Sequence, residues 1–313
     1  MNEPLSFFDR PNSYIGKTVP RPNAKRLLEG RGRFVDDITL PRMVHAAFLR
    51  SPYAHARIDN IDISEALKVD GVVRILTGKD IIELVEPFVG VLSHLVGLRS
   101  APQPAVAVDV ARWQGEPVVM IIAQTRAQAE DAANLIDVSY TPLPVAADME
   151  NALEEGEPVI HSEFDSNLAW QREVVAGDVD SEFANPENTV VERTLHFGRH
   201  TGVTLEPRTC LAQFDPSEDV LTVHYSGQAP HMMQVIFAKH LGMAEENVNV
   251  VAGDVGGSFG IKVHTYGDEV AVAAVAKFLR RPVKFVADRL ESFQSDIHAR
   301  DHRVDCRMAV DSD

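Results

Sequence analysis

The sequence predicts an α/β fold, strands and helices mixed along the chain, and three stretches carry that prediction. "EPVVMIIAQ" (116–124) is a continuous apolar run of strand length, which suits a buried strand. "TRAQAEDAANLI" (125–136) follows it, opening on Thr125 as a cap and repeating alanine or an aliphatic residue at helical spacing. "NVNVVAGDV" (247–255) and "GDEVAVAAVAKFLRRP" (267–282) repeat the strand-then-helix order across a glycine-rich turn.

The elements follow in order. Residues 1–35 are polar, hold Pro11, Pro20 and Pro22, and read as an arm with little regular structure. "MVHAAFLRS" (43–51) reads as a strand, and "ARIDNIDIS" (56–64) alternates loosely through Ile58, Ile61 and Ile63. "ISEALKVDGVVRILTGKDI" (63–81) reads as a short helix, a stop at Gly71 and a strand over Val72–Leu76. After the run at 116–136, "DVSYTPLP" (137–144) resumes a strand, completing a strand–helix–strand unit.

Residues 146–190 are acidic and irregular, either a linker between two domains or a solvated excursion within one. The division expected is an arm (1–35), a first domain (36–148), a linker (149–170) and a second domain (171–313). In that second domain "TVVERTLHFGR" (189–199), "VLTVHYSGQ" (220–228) and "VKFVADR" (283–289) read as strands. "PHMMQVIFAKHLGM" (230–243) reads as a helix ending at Gly242.

Composition narrows the function classes. A formal net charge of −16 argues against a nucleic-acid partner, because phosphate contacts need a basic face. Cys210 and Cys306 stand alone, without the spacing of a disulfide framework or a zinc site. His200, His231 and His264 are spaced too irregularly for a metal site and read as surface or supporting histidines. With no secretory h-region and no apolar run of spanning length, a cytoplasmic protein is expected.

The most informative stretch is "VAGDVGGSFGIK" (251–262). Its glycines stand at 253, 256, 257 and 260, which fails the Gly-x-Gly-x-x-Gly spacing, and Lys262 is followed by Val263 where a Walker A loop needs Ser or Thr. On the residues alone, a turn that lets a strand pack closely stays open beside a ligand-binding turn. Phe259 favours the ligand, since an aromatic ring between Ser and Gly needs something flat to rest on it. Bare backbone N–H groups around it would suit a polar pterin or nucleotide.

The motifs together resemble the molybdenum hydroxylases, the superfamily of xanthine dehydrogenase, aldehyde oxidoreductase and aerobic carbon monoxide dehydrogenase. The glycine turn is similar to that family's Gly-Gly-Gly-Phe-Gly-x-Lys, with Ser258 in place of the third glycine. "GRGRFVDDITLPRMVHAAFLRSPYAHARI" and "GEPVVMIIAQTRAQAEDAANLIDVSYTPLP" resemble its a/b hammerhead domain. "HTGVTLEPRT" (200–209) and "HYSGQAPH" (224–231) resemble its Glu-Pro segment and its strand-end Gln. The resemblance implies a hammerhead domain followed by part of the molybdenum cofactor-binding domain, incomplete at residue 313.

It also implies roles. Gln228 would hydrogen-bond an oxo ligand of molybdenum, although on its own it also reads as a strand end capping the next helix. Phe259 would lie beside the metal, so both are neighbours of molybdenum rather than ligands. Gly257, Ser258 and Gly260 would line the cofactor. Glu206 would be structural. Val263 stands where purine-oxidising members carry a glutamate, which leaves aldehydes, N-heterocycles or carbon monoxide as substrates. No catalytic residue is assigned in this chain, the base being expected beyond residue 313.

The implied cofactor is molybdenum–molybdopterin, in its cytosine dinucleotide form if the source is bacterial. The implied partners are a C-terminal molybdopterin-binding chain, an Fe-S subunit and an FAD subunit. A split catalytic subunit and a truncated product both stay open, as does a cofactor-free assembly protein of the same fold.

Overall fold

The computed structural model describes residues 14–89 and 94–311; residues 1–13 of the expected arm and 312–313 of the second domain lie outside that range. Its strands are β1 (Val44–Arg50), β2 (Ala56–Asp62), β3 (Val72–Thr77), β4 (Val110–Ala111), β5 (Pro117–Ala123) and β6 (Asp137–Pro142). There follow β7 (Thr189–Phe197), β8 (Thr209–Asp215), β9 (Val220–Tyr225), β10 (Val248–Val251), β11 (Val283–Val286) and β12 (His302–Val310). The helices are α1 (Ala24–Leu28), α2 (Gly78–Ile81), α3 (Arg126–Ala133), α4 (Val179–Ala184), α5 (Pro230–His240), α6 (Gly267–Leu279) and α7 (Arg289–Ser295).

Seven strands form one mixed sheet in the order β10-β9-β8-β11-β1-β5-β3. Strands from both halves of the chain meet in it, where β1 runs parallel to β11 with Val44 opposite Val283. β5 lies antiparallel between β1 and β3, and every one of its residues is buried. Both of its faces are covered, which is why its sequence is uniformly apolar instead of alternating. Val119 and Ile121 pack with Ala129 and Ala132 of α3 on one side, while Met120 and Ile122 join the core around α6 on the other.

Helix α3 begins as the sequence indicates. Thr125 Oγ1 accepts from Gln128 N at 3.3 Å, and Gln128 Oε1 accepts from Thr125 N at 3.1 Å, a reciprocal capping box. The strand after it, β6, does not return to the sheet of β5. It joins β2 and β4 in a separate three-stranded sheet, so this unit links two sheets and is not a crossover within one. The short helix expected before Gly71 is a single 3-10 turn, Ala66–Lys68.

Helix α6 is buried without a break from Asp268 to Ala276, as a helix apolar all round must be. At its start a Cβ on Gly267 would lie 2.3 Å from the Ala105 carbonyl oxygen, so only glycine lets the helix end approach that backbone. No helix or strand occurs between Leu143 and Asp178. The ribbon of β7 and β12 pairs nine residues antiparallel, and its strands are exposed except at Ala309.

Candidate cofactor site

The glycine turn leaves the C-terminal end of β10, and each contact that shapes it comes from another element. Asp254 accepts from the Arg26 guanidinium at 2.8 Å and from Arg33 N at 2.7 Å. These bonds, Arg26's first, hold its carboxyl down at about 2. The arm around α1 is therefore tied to the turn. Gly256 N donates to Glu206 Oε2 at 2.7 Å, and Glu206 N donates back to Gly256 O at 3.2 Å. A Cβ on Gly256 would fall 2.4 Å from Glu206 Cβ, so glycine is required for this approach.

Lys262 closes the turn from beneath. Its side chain is fully buried, and Nζ donates to Glu206 Oε2 at 2.9 Å and to Ser226 Oγ at 2.8 Å. Burial pushes its pKa below the usual lysine value, with the Glu206 carboxylate opposing. Its carbonyl accepts from Tyr225 OH at 2.9 Å and from Gln228 N at 3.2 Å. The end of β9 and the end of the turn are thus locked together.

Phe259 adopts a left-handed backbone (φ +49°) between Gly257 (φ +105°) and Gly260 (φ +94°), a conformation costing an L-residue about 1–2 kcal/mol. Its side chain is left 78% exposed. Beside it, the Gln228 amide oxygen accepts from Ser258 Oγ and from Gly260 N. A backbone N–H can only donate, so the oxygen of Gln228 faces the turn and its NH2 faces away. Among the described residues that NH2 has no acceptor.

The structure thus brings Gln228, Gly257, Ser258, Phe259 and Gly260 into one surface. A flat ring, bare glycine backbone and an outward-facing amide donor fit a polar, planar cofactor. Glu206 Oε1 adds a buried acceptor without a partner. Val263 ends the 3-10 turn Ile261–Val263 and is half-buried. His200, His231 and His264 join no group able to hold a metal among the described residues. Cys210 is buried and Cys306 exposed, both as free thiols.

A buried charge cluster beneath this surface was not anticipated. Arg208, with no exposure, donates to Asp296 at 2.6 Å, to both oxygens of Asp268 at 2.7 and 2.8 Å, and to Ser295 at 3.0 Å. Its guanidinium stacks 3.8 Å from the Tyr266 ring centroid. Arg50 bonds Asp268 and Glu291, both at 2.7 Å. Asp268 is held well below the usual carboxylate range by these two cations against its burial, whereas burial pushes Glu269 up to about 8 despite Arg208.

The pH consequence follows from that upward shift. The folded chain holds the Glu269 proton up to about pH 8, whereas the unfolded chain releases it near 4.5. Stability is therefore lost as pH rises between those values. Glu269→Gln is expected to flatten the decline and to stabilise the chain at pH 8 by roughly 2 kcal/mol or more. Urea melts from pH 5 to 8 test this, and parallel curves for the two proteins would refute it.

Residues 29–144 match the aldehyde oxidase and xanthine dehydrogenase a/b hammerhead domain, and residues 160–313 match the molybdopterin cofactor-binding domain. The nicotine 6-hydroxylase large subunit of Paenarthrobacter nicotinovorans is 36% identical over 301 residues, 96% of this chain and 36% of the relative. The carbon monoxide dehydrogenase large chain of Hydrogenophaga pseudoflava is 32% identical over 329 residues, 100% of this chain and 40% of the relative. The crystal structure of quinoline 2-oxidoreductase from Pseudomonas putida 86 superposes with a TM-score of 0.88 at 34% identity, covering 95% of this chain and 37% of that one.

Fold and matches define one class, the molybdopterin-binding large subunits. The chain belongs to the molybdenum hydroxylase superfamily, that of aldehyde oxidase and xanthine dehydrogenase. It spans between a third and two fifths of the length of these three relatives. Among the described residues no helix is long and apolar enough to cross a membrane.

Proposed function

We propose that this chain forms the N-terminal part of the catalytic subunit of a cytoplasmic molybdenum-dependent hydroxylase, built as a hammerhead domain, a linker over 149–170 and a first cofactor-binding domain. The observation carrying this reading is the Gln228 amide, anchored by its oxygen with its donors turned outward beside the exposed ring of Phe259. When bound, the molybdenum pterin supplies two-electron oxidation of a carbon–hydrogen bond or of carbon monoxide, with water as the oxygen source. Gln228 would donate to the cofactor without adding charge, and Phe259 would lie beside it. Gly257, Ser258 and Gly260 let it approach the backbone.

The base comes from outside this chain. Leu205, 92% exposed, lies in the groove shared with Phe259 and Val203, which supports cover by a further molybdopterin-binding segment, carried by a C-terminal partner chain or by more of the same polypeptide. Fe-S and FAD subunits carry the electrons away, and the pterin is the cytosine dinucleotide form if the source is bacterial. Among aldehydes, N-heterocycles and carbon monoxide, an aromatic N-heterocycle is favoured. Val263 leaves no carboxylate after Lys262, and nicotine and quinoline name the substrates of two relatives.

The test is metal and pterin analysis of the assembled complex, expected to find about one molybdenum per chain. Gln228→Ala is expected to keep the metal and to lose about 10- to 100-fold in kcat. A folded, assembled complex without molybdenum would leave the cofactor-free assembly protein as the reading.

A further inference from the structure

We propose that Ser258 is a positioning residue whose hydroxyl restrains the Gln228 amide in the orientation that the Gly260 N–H selects. The inference rests on the site reading above and adds to it a role for the one position where the turn departs from the three-glycine pattern. Its first support is geometric. The Ser258 hydroxyl donates to the same Gln228 oxygen that Gly260 N reaches at a long 3.3 Å.

A backbone donor at that distance holds a carboxamide weakly. Gln228 is exposed, so nothing packed around it fixes its outer torsions. The Gly260 N–H selects which way the amide faces, because it can only donate, and the Ser258 hydroxyl adds a second bond to the oxygen so placed that resists its rotation. With the hydroxyl removed, only the Gly260 bond opposes rotation. With it present, the NH2 is held on the side away from the turn.

The second support is the rigidity of the base from which Ser258 reaches. Its carbonyl accepts from Ile261 N at 3.0 Å, and the chain on either side is pinned by the Gly256–Glu206 and Lys262–Glu206 bonds. A Cβ on Gly202 would come within 3.1 Å of Phe259 Cβ and 3.5 Å of Ser258 O, so the neighbouring segment packs directly on this part of the turn. A hydroxyl mounted there has little freedom, and its bond to Gln228 transfers that order to the amide.

The test uses the assembled, cofactor-loaded enzyme in four variants: Ser258→Ala, Ser258→Thr, Gln228→Ala and the Ser258→Ala/Gln228→Ala double. Ser258→Ala is expected to keep its molybdenum and its KM and to lose about 2- to 12-fold in kcat, the worth of one neutral hydrogen bond. The electron paramagnetic resonance spectrum of the partly reduced enzyme is expected to shift with it. Ser258→Thr restores both, and in the Gln228→Ala background Ser258→Ala costs nothing further.

An equal Ser258→Ala loss in both backgrounds overturns the proposal while leaving the site reading intact. A fall in molybdenum content in Ser258→Ala also overturns it, since Ser258 would then hold the cofactor itself. If Gln228→Ala keeps molybdenum with kcat and spectrum unchanged, the site reading fails and this proposal fails with it.

Discussion

Arg208→Met is expected to destabilise the chain by about 3–5 kcal/mol, the cost of removing one partner from a buried ion pair. That is a large share of a typical domain stability of about 5–15 kcal/mol. The cause is charge left without compensation. Asp268 would keep Arg50, but Asp296 would lose the 2.6 Å bond from Arg208. Glu269, holding its proton up to about pH 8, is neutral and adds nothing to that deficit.

Position in the fold makes this loss global. Arg208 leads into β8, Asp268 and Glu269 open α6, and Ser295 and Asp296 end α7, so one guanidinium ties three elements beneath the glycine turn. Arg208→Lys is expected to fall between wild type and Arg208→Met, since an ammonium keeps the charge but cannot make the planar fork to Asp268. Thermal and urea melts of the three proteins decide it. An Arg208→Met midpoint within a degree of wild type would falsify the assignment.

How far the sequence reveals this arrangement depends on how local the information is. β5 and α3 are legible because burial on two faces writes an apolar run, and a capping box writes Thr125 and Gln128 three residues apart. Their partners are not legible. The pattern of 116–144 reads as strand, helix and strand, yet nothing local says that β6 leaves the sheet of β5, or that β1 pairs with β11.

β8 is missed for a related reason. It lies between β9 and β11, and Thr209, Cys210, Leu211 and Ala212 are buried in succession. Four short residues of mixed chemistry write neither alternation nor a long apolar run. The exposed ribbon strand β12 and the short helix α7 are also unread, although Val304, Cys306, Met308 and Val310 alternate along β12 and Leu290 and Phe293 stand one turn apart in α7.

The site divides in the same way. Gln228 and Phe259 stand in motifs, and Gln228 bonds Ser258 and Gly260 on either side of Phe259. The Arg208 cluster stands in no motif, although a signal exists. Asp268 and Glu269 head a helix whose residues 270–276 are all alanine or valine, and acids in such a helix are rarely buried without a cation. The sequence does not say which arginine meets them, because Arg208 and Arg50 arrive from distant strands.

Glu206→Ala is expected to empty the site without unfolding the sheet. The carboxylate does two jobs through one oxygen, accepting from Gly256 N at 2.7 Å and from Lys262 Nζ at 2.9 Å. Without it, Gly256 N loses its acceptor and the fully buried Lys262 side chain keeps only Ser226 Oγ. Stranding a buried ammonium costs about 3–5 kcal/mol, and the turn can relieve that cost by opening toward solvent. Molybdenum content of the assembled enzyme is expected to fall, and amide exchange at residues 252–262 to speed up, while β5 stays protected.

The pH dependence has a definite sign. The Lys262 pKa already lies below the ordinary 10.5, and losing Glu206 lowers it further. A depressed lysine makes the fold more stable as pH rises, so the Glu206→Ala defect is expected to be milder at pH 9 than at pH 7. Pairing Glu206→Gln with Lys262→Met removes both charges and is expected to recover stability relative to Glu206→Gln alone. If Glu206→Ala kept full molybdenum and unchanged exchange in the turn, the turn would be held by its own backbone, and Glu206 would be incidental to it.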